Sequence, residues 1–93
     1  MPKPIGATKA RRSNTPREMF GAAITRLRIK RDVSQATVAV EVGCEEFYLR
    51  NIEQGRENFS FDIMYAIVTY YDMLPLSHFW EFAEGNALEQ AIV

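Results

Sequence analysis

Ninety-three residues with 47% hydrophobic content suit one small domain with a single core and leave no room for a second. One cysteine, Cys44, excludes an internal disulfide, and no apolar run reaches the length of a signal-peptide core or a membrane span, so a cytoplasmic protein is expected. The formal net charge of -1 hides a division: nine basic residues face one acid from Met1 to Arg31, whereas two, Arg50 and Arg56, face eleven acids from Asp32 onward.

Residues 1–14, MPKPIGATKARRSN, hold two prolines, a glycine and four basic residues with almost nothing to bury, the composition of an arm. Lys9, Arg11 and Arg12 are either DNA contacts that follow a groove or the charges of a solubilising tail. Thr15, Pro16 and Glu18 then spell a helix start: Thr15 as N-cap, Pro16 at the first helical position, and Glu18 closing a capping box. This helix is expected to reach about Arg31, with Phe20, Ile24 and Leu27 on one face.

The stretch from Val33 to Gly55 reads as two short helices around a tight turn. Ser34 is the first N-cap, Val33 and Val38 have the spacing of a hydrophobic staple, and Gly43 supplies the left-handed end from which the chain restarts at Cys44 or Glu45. Val38 and Val42 form one face of the first helix, Leu49 and Ile52 one face of the second. Small Ala39 lets the two cross closely, which is a helix-turn-helix grid.

Gly55 to Phe59 is a loop signal, with Ser60 as the next N-cap. A fourth helix over about Phe61 to Asp72 carries Met64, Ile67, Val68 and Tyr71 as a core stripe, leaving Tyr65, Tyr70 and Met73 outside it. Pro75 permits a last helix from about Leu76, with Phe79, Trp80 and Ala83 on successive turns and Gly85 at its end. Trp80 is expected in the core or an interface. The remaining residues, 86–93, are either part of a dimer interface or a frayed end, and the apolar surplus of Tyr70, Met73, Phe79, Trp80 and Leu88 favours a homodimer through the C-terminal half.

From Phe20 to about Trp80 the chain resembles the phage-repressor-like helix-turn-helix family, the XRE type, which includes controller proteins of restriction-modification systems. The resemblance lies in FGAAITRLR (Phe20 to Arg28), VSQATVAVEVG (Val33 to Gly43), IEQGR (Ile52 to Arg56) and FSFDIMYAIVTYYDM (Phe59 to Met73). It implies an all-α, five-helix domain, here residues 15–85, that binds operator DNA as a two-fold dimer. It further implies a structural ion pair between Arg28 and Glu53. The loop after the motif would touch the DNA backbone through Arg56, unless Arg56 is a solvated charge.

In such a motif the second helix enters the major groove. The positions that would face bases are Glu45, Glu46, Phe47 and Asn51, with Tyr48 and Arg50 close by, while Gln35 would hold a phosphate at the start of the preceding helix. Asn51 suits adenine and Phe47 suits thymine methyls. The two glutamates depart from the serine, threonine, glutamine or arginine usual in the family. They either accept from cytosine or complement the helix macrodipole, with Glu46 paired to Arg50; in the second case the motif is a scaffold rather than a reader.

Nothing in the chain suggests an enzyme or a cofactor: His78 lacks partners for a metal site, Cys44 occupies a core position of the motif, and no glycine-rich phosphate loop is present. The expected function is a sequence-specific transcriptional regulator on double-stranded DNA, acting by promoter occlusion or by touching RNA polymerase through the acidic C-terminal face. A restriction-modification controller, an antitoxin-type autoregulator and a protein-interaction adaptor without DNA binding are the alternatives.

Overall fold

The computed structural model describes the backbone of residues 15–92 and the side chains of residues 15–89. These form five α-helices and, among the described residues, no strand: α1 (Pro16–Arg31), α2 (Gln35–Val42), α3 (Glu46–Glu53), α4 (Phe61–Tyr70) and α5 (Leu76–Ile92). The all-α, five-helix architecture is the expected one.

Local chemistry sets the helix starts. Thr15 accepts from the Glu18 amide at 3.1 Å while the Glu18 carboxylate accepts from the Thr15 amide at 3.3 Å, a closed capping box with Pro16 behind it. Ser34 and Ser60 cap α2 and α4 by the one-way bond alone, accepting from the amides of Thr37 and Ile63. The ends are more varied. Gly43 stops α2 at φ 82°, but α1 and α4 are stopped by aspartates, Asp32 at φ 57° and Asp72 at φ 59°. Each aspartate opens a paired closure of the last turn: Asp32 and Val33 donate to Ile29 and Arg28, and Asp72 and Met73 donate to Thr69 and Val68. The fourth helix is therefore shorter than expected.

The core joins all five helices: Phe20, Ala23, Ile24 and Leu27 from α1, Val38 and Ala39 from α2, Leu49 and Ile52 from α3, Ile67 and Val68 from α4 with Tyr71 just beyond, and Phe79 and Ala83 from α5. Phe20 lies at its centre, its ring 4.7 Å from Phe59 and 5.3 Å from Phe79. Gly21 explains how α1 approaches α3 so closely. A Cβ there would run into the backbone carbonyls of Ile52 and Glu53.

Three expectations are corrected. Gly85 does not end the last helix, which continues to Ile92. A glycine inside an exposed helical turn costs only about 1 kcal/mol, and the packing of buried Ala83 and Asn86 on either side of Gly85 outweighs that. Phe79, expected on a dimer surface, is 2% exposed and belongs to the core, because its ring is held against Phe20. Met64 reaches only the rim of the core and remains partly exposed.

Candidate nucleic-acid interface

Helix α3 presents the site, and α1 and α2 fix its position. Its inward face is anchored by Leu49 and Ile52, both fully buried. Its last residue, Glu53, is buried as well and carries the main polar joint of the domain. Arg28 of α1 donates from Nε to Glu53 Oε2 at 2.8 Å and from Nη2 to Oε1 at 3.2 Å. Gln35, first residue of α2, donates to the same Oε1 at 2.8 Å, and Arg28 Nη1 donates to the carbonyl of Val33 at 3.1 Å. One carboxylate thus ties three helices together. The Glu53 hydrogen bond, outweighing burial, pushes the Arg28 guanidinium above its ordinary range.

The outward face of α3 is open. Glu45, Glu46, Phe47 and Arg50 are exposed, Phe47 by 62%, whereas Tyr48 and Asn51 are half-buried at the edge. Glu45 occupies the N-cap position without a side-chain capping bond, so its carboxylate does not close the helix start. Glu46 and Arg50 approach to 3.9 Å, a long pair between half-exposed side chains that holds neither firmly. Cys44 sits half-buried in the turn, and its thiol is pushed up by burial and by the neighbouring Glu45 charge, which makes it a poor nucleophile.

Gln35 keeps one hydrogen of its amide occupied by Glu53, so a phosphate at the start of α2 would meet the other hydrogen and the backbone amides. Arg56 is exposed in the loop after α3. The structure brings a further cation to that loop. Arg17, in the first turn of α1, donates to Asn58 Oδ1 at 2.8 Å across the domain. No motif in the sequence singles out Arg17; the one signal is that a cation in a first turn opposes the helix macrodipole and so calls for a reason outside the helix. Lys9, Arg11 and Arg12 lie outside the described residues.

Of the expected interface residues, Leu88 is 65% exposed, while Tyr70, Met73 and Trp80 are half-buried; the Tyr70 ring stands edge-on to Tyr71 at 4.9 Å. Among the described residues no cluster of histidine, cysteine and acidic side chains has the makings of a metal site, and no helix is long and apolar enough to cross a membrane.

Comparison with known proteins agrees with this geometry. A family model described as a helix-turn-helix domain matches residues 19–77. Among solved structures, the chain is similar to the clp gene regulator ClgR from Corynebacterium glutamicum. One structure of that protein gives a TM-score of 0.71 at 24% identity over 84% of this chain and 83% of the other; a second gives 0.71 at 23% identity over 85% and 99%. It is also similar to the restriction-modification controller protein C.AhdI from Aeromonas hydrophila, with a TM-score of 0.61 at 28% identity over 66% of this chain and 92% of the other. The likeness to ClgR establishes the fold. Comparison with curated protein sequences gave no significant match.

Proposed function

This chain belongs to the helix-turn-helix domain family, and we propose that it is a DNA-binding transcriptional regulator that reads an operator as a homodimer and is not an enzyme. The observation that carries the reading is the pairing of an open outward face on α3 with a rigid mounting behind it. A helix that must enter a major groove has to keep its outer side chains unpaired and its axis fixed. Phe47, Glu45 and Glu46 are exposed on one side, while Leu49, Ile52 and the Arg28–Glu53–Gln35 joint hold the other.

In this reading Asn51, Phe47 and Glu46 select bases, with Glu45, Tyr48 and Arg50 at the edges of the contact. Gln35, Arg56 and the basic arm at Lys9, Arg11 and Arg12 supply the salt-dependent phosphate contacts. The arm matters because residues 1–14 carry four basic residues and no acid, leaving the rest of the chain seven basic residues against twelve acids. Dimerisation would use the C-terminal half, with Tyr70, Met73, Trp80 and Leu88. Control would follow concentration in the cytoplasm, with promoter occlusion or RNA polymerase contact as the output. Similarity to C.AhdI supports a restriction-modification controller as the genetic setting.

The acidic balance of residues 15–93 and the uncommitted carboxylate of Glu45 favour one other reading, an adaptor that keeps the fold without DNA binding. Fluorescence anisotropy with a randomised duplex pool at two salt concentrations, followed by sequencing of the bound fraction, separates the two. Enrichment of an inverted repeat with half-sites about one helical turn apart is expected for the regulator. No binding at low salt would leave the adaptor.

A further inference from the structure

A cleft of about 580 Å³ runs between α1 and α5, lined by Ala22, Thr25, Arg26, Ile29, Lys30 and Asn86. None of these residues belongs to α2 or α3, so the cleft is separate from the nucleic-acid face. Its polar groups are arranged for an acceptor. Arg26 Nη1 donates to Asn86 Oδ1 at 2.6 Å and to Glu89 Oε1 at 2.7 Å, and both contacts use one nitrogen of the guanidinium. Lys30 is exposed and makes no ion pair among the described residues. Asn86 is 4% exposed, and its Nδ2 is buried without a hydrogen-bond partner among the described residues. A buried donor left unpaired is destabilising, so it marks a place where an acceptor is missing.

Thr25 donates to the carbonyl of Gly21 at 2.8 Å, so the remaining donors of the cleft are Arg26, Lys30 and Asn86. Ile29, 65% exposed, and Ala22 give an apolar wall beside them. The chain itself shows which acceptor fits, because the Glu89 carboxylate already sits on Arg26. That pair is exposed on both sides, at 50% and 66%, and exposed pairs are weakly held. A competing carboxylate displaces Glu89 at little cost.

We propose that this cleft binds a small organic acid, a carboxylate on a short apolar body. The carboxylate takes the place of Glu89 on Arg26, draws in Lys30 and accepts from Asn86 Nδ2, while the apolar body lies against Ala22 and Ile29. The volume is within the range of about 300–1,000 Å³ in which small-molecule sites fall. Because such a ligand bridges α1 and α5 only in the folded chain, its binding raises stability by mass action.

The test is a titration of the full-length ¹⁵N-labelled protein with butyrate, read by the shifts of the Asn86 side-chain amide and by the thermal midpoint. Parallel arms use butyramide, inorganic phosphate and sodium chloride at matched ionic strength. Saturable butyrate binding is expected, about tenfold weaker in Arg26→Gln. Glu89→Gln, which removes the competing carboxylate at an exposed position, is expected to bind butyrate several-fold more tightly, and Lys30→Gln more weakly. The last two variants alter exposed side chains only, and so keep the test decisive if Arg26→Gln does not fold. Equal responses to butyramide or chloride, or affinity indifferent to Lys30→Gln and Glu89→Gln, would overturn the site. Equal saturation by phosphate would overturn its assignment to carboxylates.

Discussion

Arg28 grips Glu53 with two nitrogens, Nε at 2.8 Å and Nη2 at 3.2 Å, across the junction between α1 and the end of α3. The glutamate side chain is 4% exposed and the arginine 17%, so water compensates poorly for the loss of a partner, least of all at the carboxylate. Removing one leaves a buried charge without a counterion, which costs about 3–5 kcal/mol where burial is complete. We expect Arg28→Ala, which leaves the more buried carboxylate unpaired, to lose about 3 kcal/mol in urea unfolding, and Glu53→Ala somewhat less because the arginine left behind retains some solvent. Gln35→Ala removes only one of the donors to Glu53 and is expected to cost about 1 kcal/mol. A Glu53→Ala variant as stable as the parent would show that the joint contributes nothing to the fold.

Tyr71 poses the opposite case, a buried polar atom with no partner. Its hydroxyl lies in the core without a hydrogen bond among the described residues, while Arg31 stands 5.6 Å from the ring centroid. Burial pushes the phenol well above its ordinary range, the Glu53 and Tyr70 charges push the same way, and Arg28 and Arg31 oppose them. Since the folded phenol binds its proton more tightly than the unfolded one, its stabilising contribution is complete below the unfolded value of about 10 and is lost as pH rises beyond it. Tyr71→Phe should therefore be no less stable than the parent at pH 7. Above about pH 10 the parent should lose stability relative to the variant, measured as the difference in thermal midpoint across pH. Equal slopes for the two proteins would count against the buried phenol.

Two glycines on helices should respond to alanine with opposite sign. At Gly21 the added methyl meets the carbonyls of Ile52 and Glu53, which are backbone and cannot swing aside. Gly21→Ala is expected to destabilise by about 2–3 kcal/mol and to displace α3. At Gly85 the methyl meets nothing within 4 Å and the residue lies inside α5, so Gly85→Ala should stabilise by roughly 0.5–1 kcal/mol. Thermal melts of both variants decide the matter. A stabilised Gly21→Ala would mean that α1 and α3 are not held at this separation.

These residues also mark where the sequence was legible. The helix starts at Thr15, Ser34 and Ser60 could be read because a cap and its partner stand three residues apart. The close approach at Gly21 could not, since the carbonyls that forbid a side chain come from the far end of the motif. The Arg17–Asn58 bond escaped for the same reason, being formed across 41 positions. Asp32 and Asp72 as left-handed stops run against the preference for glycine, and Gly85 inside α5 shows the converse, a local breaker overruled by packing on both sides. At the candidate interface, the composition of α3 was plain, but which of its side chains remain uncommitted depends on burial, and burial is a property of the fold.

Phosphate contacts and base contacts leave different signatures, and the loop after α3 allows them to be separated. Arg56 is exposed in that loop, and Arg17 is tied to it through Asn58. If each neutralises one phosphate, Arg56→Ala and Arg17→Ala should each reduce the slope of log affinity against log salt by about 1, with the preferred sequence unchanged. Asn51→Ala should do the reverse, keeping the slope and losing about 1–3 kcal/mol of discrimination at one base pair. Glu46→Gln then resolves the acids. A glutamate that only complements the helix dipole repels the backbone, so its neutralisation raises affinity for all sequences alike. One that accepts from cytosine loses selectivity at a single position when neutralised. The Glu46–Arg50 pair is long and half exposed and so weakly held, and anisotropy titrations on the enriched site and a scrambled duplex distinguish the two outcomes.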